Sequence, residues 1–176
     1  MAVCREKAID VRRWDAGSDA TVIGPVRLAV LHPAAGWDRQ TVASDQEMRN
    51  NASLVLQATF GQAAFLLTGD ILSRAEAELA VRAGDALAST VLFAPHHGSR
   101  TSSSTELIAA VKPEIVVISA GSGNRFGFPH DEVVQQGDAQ EVAAAVEAGG
   151  EFQVVTARPG VAGGMVVGHD DRGGGQ

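Results

Sequence analysis

At 176 residues, 45% of them hydrophobic and 20% charged, with a mean hydropathy of +0.04, the chain has the size and composition of one globular unit with its own core. A net charge of −7 and a pI near 5.1 exclude a broad basic face for nucleic acid, so any such contact has to be local or metal-mediated. A single cysteine, Cys4, excludes an intramolecular disulfide framework, the start MAVCREKAID has no apolar signal core, and no run approaches the roughly 18 apolar residues of a spanning helix.

In chain order, TVIGPVRLAVL, from Thr21 to Leu31, reads as a strand, because β-branched and apolar residues gather between Gly and Pro punctuation. The polar stretch HPAAGWDRQTVASDQEMRNN has no clean period and reads as a surface loop. SLVLQAT and AAFLLT, separated by FGQ, read as a hairpin whose second strand ends at Thr68-Gly69-Asp70. In SRAEAELAVRAG, Ser73 and Glu76 have capping-box spacing, Ala75, Leu79 and Arg82/Ala83 follow one face, and Gly84 is a stop; a helix is predicted from about 73 to 83.

STVLFA then reads as a buried strand and SSTELIAAV as a helix, with Ser103 and Glu106 as its capping box and Pro113 just past its end. EIVVISA is another buried strand, running into the irregular GSGNRFGFPHDE. Asp138 and Glu141 are a further capping pair, predicting AQEVAAAVEA as a helix ended by Gly149-Gly150. EFQVVTA and GGMVVG read as a closing hairpin, and the tail as disordered. Strands first, then alternating helix and strand, predict a layered α/β (α+β) fold: one domain over residues 1–168 and a disordered tail at 169–176.

Asp70, His96-His97 and His130 each follow the C-terminal end of an expected buried strand, and loops at one sheet edge converge in space. Asp70 alone suits either a turn or a metal or substrate site. Adjacent histidines suit metal ligation or acid/base work, against loop histidines that merely form hydrogen bonds. The row SRTSSST suits helix capping, or a phosphate held by exposed N–H groups, the hydroxyls of Ser99 and Thr101, and Arg100. His32 and His169 carry no assigned role.

The ordered series N-x-S-L-V-L, L-L-T-G-D, H-H-G-S-x-T-S and N-R-F-G-x-P-H, between about Val26 and Val134, resembles the C-terminal metallo-β-lactamase-like domain of the ComEC family of competence DNA-uptake proteins. The resemblance implies an αββα sandwich with a site at one edge and metal-dependent hydrolysis using zinc or manganese. In the family this domain accompanies a membrane channel that admits single-stranded DNA, and it is assigned the degradation of the strand left behind. Carried over, Asp70 is the carboxylate bridging two metals and, with His97, the catalytic pair. His96 and His97 are ligands or orient ligands, His130 and Asn124 close the site, and Ser99, Arg100, Thr101 and Asn124 face the substrate phosphate. The implied partners are DNA and a membrane channel polypeptide.

Two departures stand out. Phe128 occupies a position that is commonly histidine in the family. The H-x-[HD]-x-D-H metal loop and the preceding Asp-x-Gly-x-Gly-Asp segment are absent, since histidine occurs only at 32, 96, 97, 130 and 169. The expectation is therefore the C-terminal half to two-thirds of the family domain, with apolar residues such as Leu54, Leu56 and Leu66 exposed for self-association and with the metal not necessarily retained. The location expected is cytoplasmic by default, or membrane-associated within a larger protein of this type. Three readings follow: a DNA phosphodiesterase, an inactive fragment or interaction module, and a small-substrate metallo-hydrolase.

Overall fold

The computed structural model describes residues 2–11, 14–35, 46–121, 123–136, 141–148, 151–157 and 166–167. A short helix α1 (Ala2–Glu6) precedes a meander of β1 (Thr21–Ile23), β2 (Val26–His32), β3 (Val55–Phe60) and β4 (Ala63–Leu67), with α2 (Gln46–Asn51) between β2 and β3. Helices α3 (Ser73–Ala83), α4 (Thr105–Val111) and α5 (Asp131–Gln136) then alternate with β5 (Val91–Phe93), β6 (Ile115–Gly121) and β7 (Glu141–Ala148), before β8 (Glu151–Ala157) and β9 (Val166–Val167). The described strands lie in one nine-stranded sheet in chain order. β1 to β4 pair antiparallel, β4 to β7 parallel and β7 to β9 antiparallel. This is a mixed α/β (α+β) fold, as the order of elements predicts. None of its described helices is long and apolar enough to cross a membrane.

Register decides which apolar residues are covered. Leu66 of β4 is in line with Leu92 of β5 and Val116 of β6, so the three share a face. That face is roofed by Ala75 and Leu79 of α3, Leu107 and Val111 of α4, and Val133 of α5. Leu66, Leu79, Leu92 and Leu107 have no exposed surface. Truncating any one of them to alanine is expected to cost about 2–5 kcal/mol. The expected exposure of Leu66 is therefore corrected. Leu56, opposite Leu67, points to the other face, where Leu67 is 37% exposed beside half-buried Phe93 and Val117; Leu54, at 39%, is the exposed member of the expected trio.

Other expectations change for local reasons. TVIGPVRLAVL is two strands rather than one, because Gly24 takes φ +57° and turns β1 back on β2. Part of the expected loop before residue 52 is helix α2. Helix α3 spans the expected residues, but Leu72 is its N-cap and no side chain caps it. The Ser73–Glu76 box does not form, since Glu76 is turned into the core instead. α4 is capped by Ser104, whose Oγ accepts from Leu107 N–H at 3.3 Å, not by Ser103, which has φ +62°.

The largest correction is at 141–148, where EVAAAVEA forms strand β7 rather than a helix. Pairing with β6 on one side and β8 on the other satisfies both edges of this segment, and such tertiary pairing overrides the helix preference of alanine. Asp138, the proposed cap, lies outside the described residues, as does the tail at 169–176.

Candidate metal and substrate site

The C-terminal ends of β4, β5 and β6 lie at one edge of the parallel sheet, and the three segments marked in the sequence leave from them. Asp70 follows a glycine with φ +59°, where an added Cβ would come within 2.8 Å of Ser53 Cβ. Its backbone N–H donates to Ser53 Oγ at 3.1 Å, and the preceding Gly69 carbonyl accepts from His96 N–H at 3.0 Å. The turn that carries Asp70 is thereby tied to the turn that carries the histidines.

That second turn is strained. His96 (φ 50°, ψ 42°) and His97 (φ 56°, ψ 27°) are consecutive non-glycine residues in the left-handed region, a conformation that costs of order 1 kcal/mol or more each and persists only when its surroundings hold it. Here they do. Ser99 N–H donates to the His96 carbonyl at 3.0 Å, and the Gly98 carbonyl accepts from His130 N–H at 3.0 Å. The buried Ser102 hydroxyl reaches the carbonyls of Pro95 at 2.9 Å and Ser99 at 2.8 Å.

The result is a defined placement of the His97 ring. Nδ1 is 2.8 Å from the Ser119 carbonyl, which only accepts, so Nδ1 carries a proton and Nε2 is the ring nitrogen left to face outward. Nε2 stands 3.7 Å from Asp70 Oδ1, and both side chains are about half exposed. That separation is too long for a direct hydrogen bond. It suits two ligands of one cation lying about 2.1 Å from each.

The other candidates fall around this pair without joining it. His96 Nδ1 is buried with no hydrogen-bond partner among the described residues, and the His96 ring meets Phe128 edge-on at 5.4 Å. His130 Nδ1 accepts from Arg100 N–H at 3.0 Å, and its ring meets Phe128 at 5.2 Å. Three histidines therefore surround Phe128, the residue standing where the resemblance anticipates an imidazole. Ser99 Oγ and Thr101 Oγ1 lie 3.0 Å apart within the turn, and the Thr101 carbonyl accepts from Ser73 N–H, at the start of α3, at 2.9 Å. The Asn124 amide is engaged at both ends by its own loop: Nδ2 donates to the carbonyls of Gly121 and Phe128, and Oδ1 accepts from Phe126 and Phe128 N–H.

Two buried groups take roles that sequence reasoning did not give them. Glu76 is fully buried and accepts backbone N–H bonds from Ser103 at 2.7 Å and Ser104 at 2.8 Å. Burial pushes its pKa up, with the hydrogen bonds from Ser104 and Ser103 opposing. His32, also buried, has Nε2 2.7 Å from the Asn51 carbonyl; desolvation lowers its pKa. Asn51 Oδ1 in turn accepts from Leu72 N–H at 2.8 Å, fixing the start of α3 behind Asp70. The capping-box spacing of Glu76 was the visible signal of a carboxylate committed to N–H groups, though it serves a different helix.

Asp70, His96, His97, Asn50, Phe126 and Phe128 line a cleft of about 880 Å³ at this edge. Among the described residues no group of three His, Cys, Asp or Glu side chains converges to hold a metal ion. Asp70 and His97 are thus two potential donors 3.7 Å apart, with no third such side chain converging on them among the described residues.

No family model matches the chain. It is 32% identical over 135 residues to ComE operon protein 3 of Bacillus subtilis, covering 77% of this chain and 16% of that protein. It is 43% identical over 84 residues to competence protein ComA of Neisseria gonorrhoeae, covering 48% and 12%. Against the uncharacterized protein YcaI of Escherichia coli it is 36% identical over 103 residues, covering 58% and 13%. The chain thus spans a sixth or less of the length of these relatives. The aligned sequences, with the Asp70 and His96-His97 turns brought to one sheet edge, place the chain in the ComEC family of competence proteins.

Proposed function

We propose that this chain serves DNA uptake as part of a metallo-β-lactamase-like hydrolytic site, in which Asp70 and His97 are ligands to zinc or manganese and DNA phosphodiesters are the substrate. The observation that carries this reading is the His97 ring, whose Nδ1 is held by the Ser119 carbonyl at 2.8 Å while Nε2 faces Asp70 Oδ1 at 3.7 Å. A divalent cation there would supply Lewis acidity toward a phosphodiester and activate water. The chain's own contribution is orientation: Ser119 sets the tautomer of His97, Ser53 anchors Asp70, and the strained turn keeps the two apart. A bound cation also answers the net charge of −7, since it attracts phosphate to an acidic protein. A membrane channel polypeptide is the partner this reading implies.

A second reading, a binding module without hydrolysis, is favoured by the absence of a third converging ligand among the described residues and by Phe128 among the histidines. Metal content and cleavage together separate the two. The purified chain is expected to take up at least one zinc or manganese per molecule and to cut linear DNA. Less than one metal ion with DNA left intact rejects hydrolysis for this polypeptide. Cleavage that survives Asp70→Ala at an unchanged rate rejects the site assignment.

A further inference from the structure

The turns that carry Asp70 and His97 are stitched together behind the cleft. The Gly69 carbonyl accepts from His96 N–H at 3.0 Å, and the Thr101 carbonyl accepts from Ser73 N–H at 2.9 Å. Between them lies a side-chain tie: the Glu76 carboxylate of α3 takes Ser103 N–H at 2.7 Å and Ser104 N–H at 2.8 Å. On its other side, α3 is continuous with Asp70 through Ile71, which has no exposed surface, and Leu72, whose N–H donates to Asn51 Oδ1 at 2.8 Å. The Asp70 segment and α3 are therefore held as one piece, and Glu76 joins that piece to the far end of the histidine turn.

We infer that Glu76 is a positioning residue of the Asp70–His97 site. By holding Ser103 and Ser104 against α3, it fixes the turn from Pro95 to Ser104 relative to Asp70 and keeps the His97 ring on the Ser119 carbonyl. Three observations carry this. Helix capping does not account for a charged group here, because α4 already has a neutral cap in Ser104, whose Oγ accepts from Leu107 N–H at 3.3 Å. The turn does not hold its own end: Ser103 takes φ +62°, and its hydroxyl is buried without a partner among the described residues. A conformation of that kind persists only where its surroundings impose it, and the bonds that impose it come from Glu76. A buried carboxylate is also costly unless its oxygens meet donors, and the N–H groups it meets belong to the turn that carries His97. Having no exposed surface, Glu76 touches no substrate and acts through the backbone. The inference rests on the cation site proposed above for its consequence in metal binding, while the geometry it asserts is read without metal.

The test follows the His97 ring in the metal-free full chain. Nitrogen-15 NMR of labelled histidine at about pH 8, where imidazole is neutral, reports which ring nitrogen carries the proton; the His97 signal is identified by its loss in His97→Ala. Wild type is expected to show the Nδ1–H form that the Ser119 carbonyl selects. Glu76→Gln, which turns one acceptor oxygen into a donor of the same shape, is expected to shift the ring toward the Nε2–H form, and zinc should then bind about tenfold more weakly. Leu87→Ala, a core truncation costing about 2–5 kcal/mol, is the control for lost stability alone: it should leave the tautomer unchanged and zinc affinity within about twofold. Glu76→Asp, which keeps the charge but withdraws it by one methylene, gives the same readout if the glutamine variant does not fold. Amide exchange in wild type needs no variant, and Ser103 and Ser104 N–H should be protected as strongly as Leu92 N–H in the core. A tautomer unchanged by either Glu76 variant, a Leu87→Ala shift as large as that of Glu76→Gln, or unprotected Ser103 and Ser104 amides overturns the positioning role. If wild type takes up no zinc while Glu76→Gln still shifts the tautomer, the cation reading fails and the positioning role stands. Zinc uptake by wild type with an unmoved tautomer in both variants rejects the positioning role alone.

Discussion

The carboxylate of Glu76, in the first turns of α3, accepts the backbone N–H of Ser103 at 2.7 Å across 27 residues of sequence. With Ser104 N–H at 2.8 Å on its second oxygen, it closes the far end of the turn that begins at Pro95 and holds Ser103 at φ +62°. Glu76→Ala leaves two buried N–H groups without an acceptor and is expected to lower stability by about 3 kcal/mol. Urea denaturation at neutral pH measures it, and a loss below about 1 kcal/mol would mean that the turn stands without Glu76.

The same residue sets a pH dependence with a definite sign. Burial raises the folded pKa of Glu76 above its unfolded value of 4.5, so in that interval the folded state binds more protons than the unfolded one. The contribution of Glu76 is then greatest below 4.5 and falls as the pH rises through the folded pKa. Relative to Glu76→Gln, which does not titrate, wild type should lose stability as the pH rises from 4.5 through the raised folded pKa. A constant difference between the two proteins over that range contradicts the raised pKa.

His32 should show the opposite slope. Desolvation lowers its folded pKa below 6.5, so its contribution is intact above 6.5 and is lost as the pH falls toward and through the folded value. Arg82 Nη2, 3.4 Å from His32 Nδ1, adds repulsion to a proton placed there. Chemical denaturation at pH 7 and pH 5 should show wild type weakening relative to His32→Gln on acidification.

Gly98 tests the strained turn. It has φ +77°, and an added Cβ would lie 2.8 Å from Pro129 Cβ and 3.1 Å from Ile118 Cγ2. Gly98→Ala is expected to cost about 1–3 kcal/mol and to displace the His97 ring from Ser119. A lowered denaturation midpoint together with weakened metal binding is the expected pair of readouts.

Phe128 tests the ligand set. Its ring lies 6.4 Å from that of His97, so Phe128→His brings a second imidazole, and a third candidate ligand, beside the Asp70–His97 pair. Calorimetric titration with zinc or manganese is expected to show affinity raised roughly tenfold, equivalent to about 1.4 kcal/mol. Asp70→Asn and His97→Ala should each lower it by a similar factor. If Phe128→His leaves affinity unchanged while both removals also do nothing, the cation lies elsewhere.

Much of the fold was legible in local pattern. The body and end of α3 followed from Ala75, Leu79 and Gly84, while its start was read from a Ser73–Glu76 box that does not form; the β3–β4 hairpin followed from two apolar runs about a glycine. The capping residues were harder, because Ser73, Ser103 and Ser104 carry the same hydroxyl and only the position of Glu76 in the core decides which N–H groups are already taken. EVAAAVEA was illegible for a different reason: alanine favours a helix in isolation, and only its pairing with β6 and β8 makes it a strand.

By itself, then, the sequence determined the α/β class, the three chemistry-bearing segments and their shared position after strand ends, since these depend on period, punctuation and residue type. Tertiary structure decided which of those residues meet. Asp70 and His97 converge because Gly69, Gly98 and two left-handed histidines turn the chain, while His96 and His130 are drawn toward Phe128 instead. That division follows from physics: the tendency to form a strand end is local, whereas the direction of a side chain at that end depends on contacts made across 20 or 30 residues of sequence, such as His97 with Ser119 and Arg100 with His130.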